Sequence, residues 1–492
     1  MIRNEFLIIR KLIEKKKNIF ISGGAGTGKS YILNKLKEIY GETLHITSTT
    51  GLSAINIGGQ TIHSWAGIGI CDKSIKETLN KIIKNSELYI KLRQCTKLAI
   101  DEISMLDCYT FDYLNTILKL VRNNMLPFGG IQMILVGDFY QLPPVHIDSD
   151  IEFCFESSSW EELNIFPIIL NDSIRQREQN YIEALNNIRM GNLQNLKLFY
   201  DRSIKNIDKI SNSILRIFGT NLDADRYNKK CFNEIDSEIY EYKATDKLIS
   251  QKDKNINYFD KSKLLSENSY MYKFFNSYCK APKILKLKEG CKVMLLKNLD
   301  IKNGLVNGSC GTVIYLDDKK IKVLFDNKKL YSITTEEFEY TLSNQLKIQR
   351  TQFPLCLAYG ITIHKSQGMT INKLVVDFKN IFDYGQAYVA LSRTRTIDGL
   401  YIKNFDKNKI LTNSKVIKFY EKLKNNSLKY WYLYIIFFII ENNLYPIMDI
   451  GYKFKIILLL FLILYQLCRI FKSIKNTPSW WWWMSAIILY FF

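Results

Sequence analysis

The stretch NIFISGGAGTGKSYIL, Asn18 to Leu33, decides the fold. It runs from a short apolar β-type segment through a glycine-rich loop into an amphipathic helical pattern that opens with Lys29 and Ser30. Gly23 to Ser30 fits G-x-x-x-x-G-K-[ST], in which backbone N–H groups ring phosphates, the lysine meets the β/γ oxygens and the hydroxyl ligates Mg²⁺. Gly23, Gly24, Ala25, Gly26, Thr27, Gly28, Lys29 and Ser30 are therefore the expected cradle for a nucleoside triphosphate. Kinases, GTPases, transporters and motors all use such a cradle, so the rest of the chain must say what work it drives.

Working outward, apolar runs at NIFISG, LHITST, KLAIDE and MILVGD alternate with helix-like stretches up to about Ile165. This is the rhythm of an α/β domain with a mostly parallel sheet. A polar, lysine-rich helical stretch from about Gly67 to Gln94 interrupts it and reads as a small insertion at the sheet's edge. Residues 166–300 are charged and less periodic. From Lys288 to about Tyr340, short β-type runs between Gly, Asn and Asp turn signals have the pattern of a small barrel. The α/β rhythm then returns to about Phe405.

The strand KLAIDE ends in Asp101 and Glu102. One carboxylate is placed for Mg²⁺, and the other can orient or deprotonate water, which favours hydrolysis over transfer to another acceptor. MILVGDFYQLPPV is a second buried strand that breaks into polar residues, putting Asp138 and Gln141 beside the γ-phosphate. SIRQRE offers Arg175, and AYVALSRTRTIDGL offers Arg393 and Arg395, as cations to stabilise charge on the transferring phosphoryl group. The segments TSTTGLSAINIGGQTIHSWAG and ITIHKSQGMT combine hydroxyls with basic and aromatic side chains. Thr50, His63, Trp65, His364 and Lys365 are the expected contacts to a single nucleic-acid strand, with Trp65 equally readable as a core aromatic.

The bulk numbers fit such a partner. Across 492 residues, 68 Lys and Arg stand against 48 Asp and Glu, a formal charge of +20 that favours polyanions. Ten Cys without a C-x-x-C pair, and four His, give neither a zinc site nor a disulfide framework, which points to a reducing, intracellular compartment. The N-terminal segment lacks the pattern of a signal peptide.

Taken in order, GGAGTGKS, TTGLSAINIGGQTIHSWAGIG, AIDEISMLD, PFGGIQMILVGDFYQLPPV, SIRQ, GLVNGSCGTV, LAYGITIHKSQGMT and YVALSRTRTIDGL resemble the motifs of the petite-integration-frequency family of superfamily 1B DNA helicases, relatives of the RecD helicases. The resemblance spans residues 18 to about 405. It implies two RecA-like P-loop domains with ATP and Mg²⁺ between them, at about 1–165 and 166–425. It also implies a wedge insertion near 67–94 and an SH3-like β-barrel insertion near 300–350. Lys29, Asp101, Glu102, Gln141, Arg175 and Arg393 take catalytic roles by this resemblance, Ser30 and Asp101 hold the metal, and Thr362, His364 and Lys365 lie on the DNA track. The expected activity is 5′-to-3′ translocation on single-stranded DNA with unwinding of duplex, in replication, repair, recombination or telomere maintenance, by a monomer. The alternative is a DNA-stimulated translocase that does not separate strands.

Two features depart from the family pattern. No glutamine precedes the phosphate loop to read the adenine, since the first Gln in the chain is Gln60. Residues 426–492 form an apolar tail, whose unbroken run at 456–467 is shorter than the roughly 20 residues of a spanning helix. Membrane contact, a buried accessory helix pair and sequence merely appended to a complete enzyme are the readings open to it, and it is expected to be dispensable for catalysis.

Overall fold

The computed structural model describes residues 4–424, apart from 51–52, 55–56, 70, 145–150, 195, 205–213, 251–264 and single or paired positions between 267 and 345. The tail at 426–492, and the membrane contact among its readings, lie outside the described residues. Among the described residues no helix is long and apolar enough to cross a membrane.

Six strands build the first sheet: β1 (Ile19–Gly23), β2 (Leu44–Ser48), β3 (Gln60–Thr61), β4 (Lys97–Asp101), β5 (Gln132–Gly137) and β6 (Phe166–Leu170). They lie in the order β3-β2-β4-β5-β1-β6 with every pairing parallel. Both faces are covered, which is why β1 and β5 are buried at every position rather than alternating. On one face Ile19, Ile21, Ala99 and Ile134 pack with Ile32, Leu33 and Leu36 of the helix Lys29–Tyr40. On the other, Phe20, Leu98, Ile100 and Leu135 pack with the helix Cys108–Arg122.

The 67–94 insertion forms two short helices, Ile75–Lys84 and Ser86–Gln94. The first is opened by a Ser74–Glu77 capping box and the second by the Asn85 side chain. Their Ile82, Leu88 and Leu92 join the core of the Cys108–Arg122 face.

A second parallel sheet has the order Gly360–Thr362, Leu215–Phe218, Leu374–Asp377, Leu400–Lys403. It has its own core, to which the helices Gln179–Arg189 and Gln386–Leu391 contribute. The described residues up to Leu423 form one compact unit. Its last helical stretch, 414–423, follows the second sheet in the chain yet packs on the first, through Val416, Phe419 and Tyr420.

The closed barrel expected at 300–350 is not found among the described residues. Lys292–Leu295, Cys310–Leu316, Ile321–Phe325, Leu330–Ile333 and Leu355–Leu357 make an open antiparallel sheet of five strands. Glu336–Ser343 and Leu346–Gln352 form a hairpin whose free edge takes Thr245–Ser250. The hairpin pairs through Leu346–Gln352 with that upstream strand and forms a separate three-stranded sheet, so it does not close the five-stranded one. A buried ion pair, Arg350 to Asp246 at 2.7 Å, pins the two strands together.

Candidate active site

The carboxyl ends of β1, β4 and β5 share one edge of the first sheet, where open α/β folds bind ligands. The phosphate loop leaves β1 there. Gly26 and Gly28 have φ of 81° and 93°, conformations that glycine adopts without a Cβ penalty. Residues 174–175 roof the loop: the Ile174 and Arg175 N–H groups donate to Gly26 O at 2.7 and 3.3 Å. A Cβ at Gly26 would stand 2.5 Å from that of Arg175. Lys29 Nζ folds back onto the loop and donates to the carbonyls of Gly23 at 2.7 Å and Gly24 at 3.0 Å. Burial pushes its pKa down, against the opposing pull of Asp138, Glu102 and Asp101. Ser30 is exposed one residue further on.

Asp101 and Glu102 end β4. Asp101 is buried, with Oδ1 accepting the Glu102 N–H at 2.9 Å and Oδ2 accepting the Ser53 hydroxyl at 3.3 Å. Glu102 has φ of 52°, in the left-handed region that non-glycine residues occupy chiefly at special sites. Its Oε2 is buried and has no hydrogen-bond partner. Burial, and then the Asp101 charge, push its pKa up to about 7. A buried carboxyl with one free oxygen, raised toward neutrality, suits a group that must accept a proton. Ser30 and Asp101 carry the hydroxyl and carboxylate oxygens that Mg²⁺ prefers, so the residues present fit that ion.

Asp138, just past β5, is fully buried and receives a bidentate fork from Arg189, Nε to Oδ2 at 2.9 Å and Nη2 to Oδ1 at 2.7 Å. Burial alone would raise its pKa, but Arg189 and Lys29 outweigh that and hold it below the ordinary carboxylate value. Gln141 is also buried, and its Nε2 donates to Asp138 Oδ2 at 3.4 Å.

The second sheet's side of the site carries the arginines. Arg175 donates through Nε to Thr370 Oγ1 at 3.0 Å and through Nη1 to Ser392 O at 3.1 Å. Arg393 is 1% exposed and donates to Val389 O at 2.7 Å and Ser392 Oγ at 2.8 Å. Burial, then Arg175, push its pKa down to about 9, while the negative charge of Glu102 acts the other way. Arg395 is exposed. Three groups that sequence reasoning did not single out join the two sides. Tyr388 Oη accepts the Ala25 N–H at 2.7 Å, Gln176 Nε2 donates to Ser392 O and Thr394 O at 3.1 and 2.9 Å, and Arg189 holds Asp138. Tyr388 and Gln176 sit inside quoted motifs, but Arg189 sits in no motif and carries no sequence signal.

The expected DNA contacts divide. His364 and Lys365 are exposed and His63 is half-buried. Thr362 is buried and its hydroxyl caps the Lys365 N–H at 3.3 Å, so it shapes the turn that presents those two side chains. Thr50 Oγ1 accepts the Ser53 N–H at 3.2 Å and likewise organises its own turn. Trp65 has to be corrected. It is 1% exposed, its indole N–H donates to His45 Nδ1 at 2.9 Å, and it belongs to the core that the insertion helices share, leaving no face for a base.

Residues 5–197 match the family model of PIF1-like helicases, and residues 274–316 match that of the 2B domain of the DNA helicase Pif1. The chain is 32% identical to the ATP-dependent DNA helicase RRM3 of Saccharomyces cerevisiae, over 85% of this chain and 67% of that one. The crystal structure of Pif1 helicase from Candida albicans superposes with a TM-score of 0.72 at 34% identity, covering 86% of this chain and 99% of that chain. Pif1 helicase from Bacteroides in complex with ADP-AlF3 and single-stranded DNA superposes with a TM-score of 0.61 at 30% identity, covering 86% and 98%.

Proposed function

Because this chain belongs to the PIF1-like family of ATP-dependent DNA helicases, we infer that it hydrolyses ATP between its two parallel sheets and uses the cycle to move 5′ to 3′ along single-stranded DNA, parting duplex ahead of it. The observation that carries this reading is the Ala25–Tyr388 contact, in which a phosphate-loop amide already meets a side chain from the second sheet's domain. Nucleotide entering the loop must therefore act on both domains at once. The similarity to a Bacteroides relative solved with ADP-AlF3 and single-stranded DNA adds support.

In this reading Lys29 leaves the Gly23 and Gly24 carbonyls to meet the β/γ oxygens, and the loop amides take the remaining phosphate charge. Glu102 accepts a proton from the attacking water as the new bond to the γ-phosphorus forms and the bond to the β-bridging oxygen breaks. Ser30 and Asp101 are the residues that would hold a Mg²⁺ ion, which would supply charge neutralisation to the phosphates. Arg175 and Arg393 stabilise the equatorial charge of the transition state, and Gln141, oriented by Asp138, registers the γ-phosphate. His63, His364 and Lys365 contact the strand. Residues 274–316, which match the 2B model, run through the first strands of the five-stranded antiparallel sheet.

Measuring ATP hydrolysis with and without single-stranded DNA across a salt series tests this. We expect strong stimulation by DNA and a single-stranded DNA affinity that falls steeply with salt, by roughly 300-fold between 50 and 200 mM if about six phosphates are contacted. Absence of stimulation, or an affinity indifferent to salt, contradicts a phosphate-tracking motor.

A further inference from the structure

The last described helical stretch reaches the catalytic edge of the first sheet. Tyr420, half-buried within it, places its hydroxyl 2.6 Å from Ser22 Oγ on β1, one residue before the phosphate loop begins. The same hydroxyl accepts the Phe139 N–H at 3.2 Å and donates to Asp138 Oδ1 at 3.3 Å. Its ring stacks on Tyr140, with centroids 4.6 Å apart and planes at 13°, and the Arg189 guanidinium lies 4.6 Å from the Tyr140 centroid. Asp138 is thereby held from three directions: Arg189 from the helix Gln179–Arg189, Tyr420 from the last described helical stretch, and its own turn. Of its two oxygens, Oδ2 is the one that orients Gln141.

We propose that Tyr420 is a positioning residue for ATP hydrolysis, which acts through Asp138 to set Gln141 against the γ-phosphate and makes residues 414–423 a working part of the ATPase. The bonds are few and directional. Packing of this stretch onto the first sheet is carried by Val416 and Phe419, the latter stacked on Phe155 at 4.2 Å, and needs no hydroxyl at 420. The hydroxyl serves the turn between β5 and Gln141, where a small displacement of Asp138 moves the group that reads the nucleotide. The proposal rests on the ATPase reading above.

Tyr420→Phe keeps the ring and removes only the hydroxyl. We expect a fall in kcat for DNA-stimulated hydrolysis of about tenfold, the scale of one hydrogen bond to a charged group, with KM for ATP within about twofold of the parent. The melting temperature should stay near that of the parent. If Tyr420 works through Gln141, the same change made on a Gln141→Ala background should lower kcat by less than about twofold, because coupled residues are not additive. A purely structural tyrosine would leave Tyr420→Phe with parental kcat, and that result overturns the proposal. Full, additive penalties on the two backgrounds overturn it as well. A parent chain without ATPase activity would instead refute the functional reading, so the two failures are distinguishable.

Discussion

Arg393→Ala should lower kcat for DNA-stimulated ATP hydrolysis by roughly 10³, the lower end of what an arginine at a phosphoryl-transfer transition state contributes. The residue is 1% exposed, and Glu102 lies close enough to act on its charge. It donates to Val389 O and Ser392 Oγ within its own domain, so its guanidinium is held in place before nucleotide arrives. Pre-organisation of this kind avoids reorganisation cost at the moment of reaction. Arg393→Lys should recover little, because a point charge cannot reproduce a planar fork that bonds its own helix and the substrate together. Single-stranded DNA affinity without nucleotide should change little. If DNA binding falls while hydrolysis survives, Arg393 belongs to the DNA track.

Glu102→Gln should depress turnover by roughly 10² or more while nucleotide and DNA binding stay near the parent. The side chain keeps its size, and the change removes a buried charge that Asp101 opposes. No fold defect is expected, because Glu102 Oε2 has no partner to lose. The backbone φ of 52° persists as well, because the turn is fixed by Asp101 Oδ1 accepting the 102 N–H and Glu102 O accepting the Thr49 hydroxyl at 2.9 Å. Near-parental hydrolysis by this variant would remove Glu102 from the role of proton acceptor and leave its buried free oxygen without a function.

What could be read from the sequence was what is contiguous. The phosphate loop, Asp101 with Glu102, and Asp138 with Gln141 each sit where an apolar strand breaks into polar residues, and the parallel sheet brings those breaks to one edge. What could not be read was what joins distant segments. Arg189 meets Asp138 from 51 positions away, Tyr388 meets Ala25 from 363, and Tyr420 meets Ser22 from 398. No local spacing encodes such pairs. Trp65 illustrates the opposite error. An aromatic among hydroxyls looks like a stacking platform, yet the insertion helices bring Leu88 and Leu92 into the same core and cover it. The barrel misled for a related reason. Its neighbours Tyr240–Lys243 and Thr245–Ser250 read as charged loop, because edge strands alternate weakly and carry polar side chains on their open face. Only pairing with Ile284–Leu287 and Leu346–Gln352 reveals them as strands.

The claim that this cleft drives directional strand separation is tested most directly by unwinding of labelled duplexes that carry a 5′ tail, a 3′ tail or no tail, each with and without ATP. The account predicts ATP-dependent separation of the 5′-tailed duplex alone, abolished in Glu102→Gln. Equal unwinding of 3′-tailed substrate, or ATP turnover on 5′-tailed substrate with no separation, would contradict it.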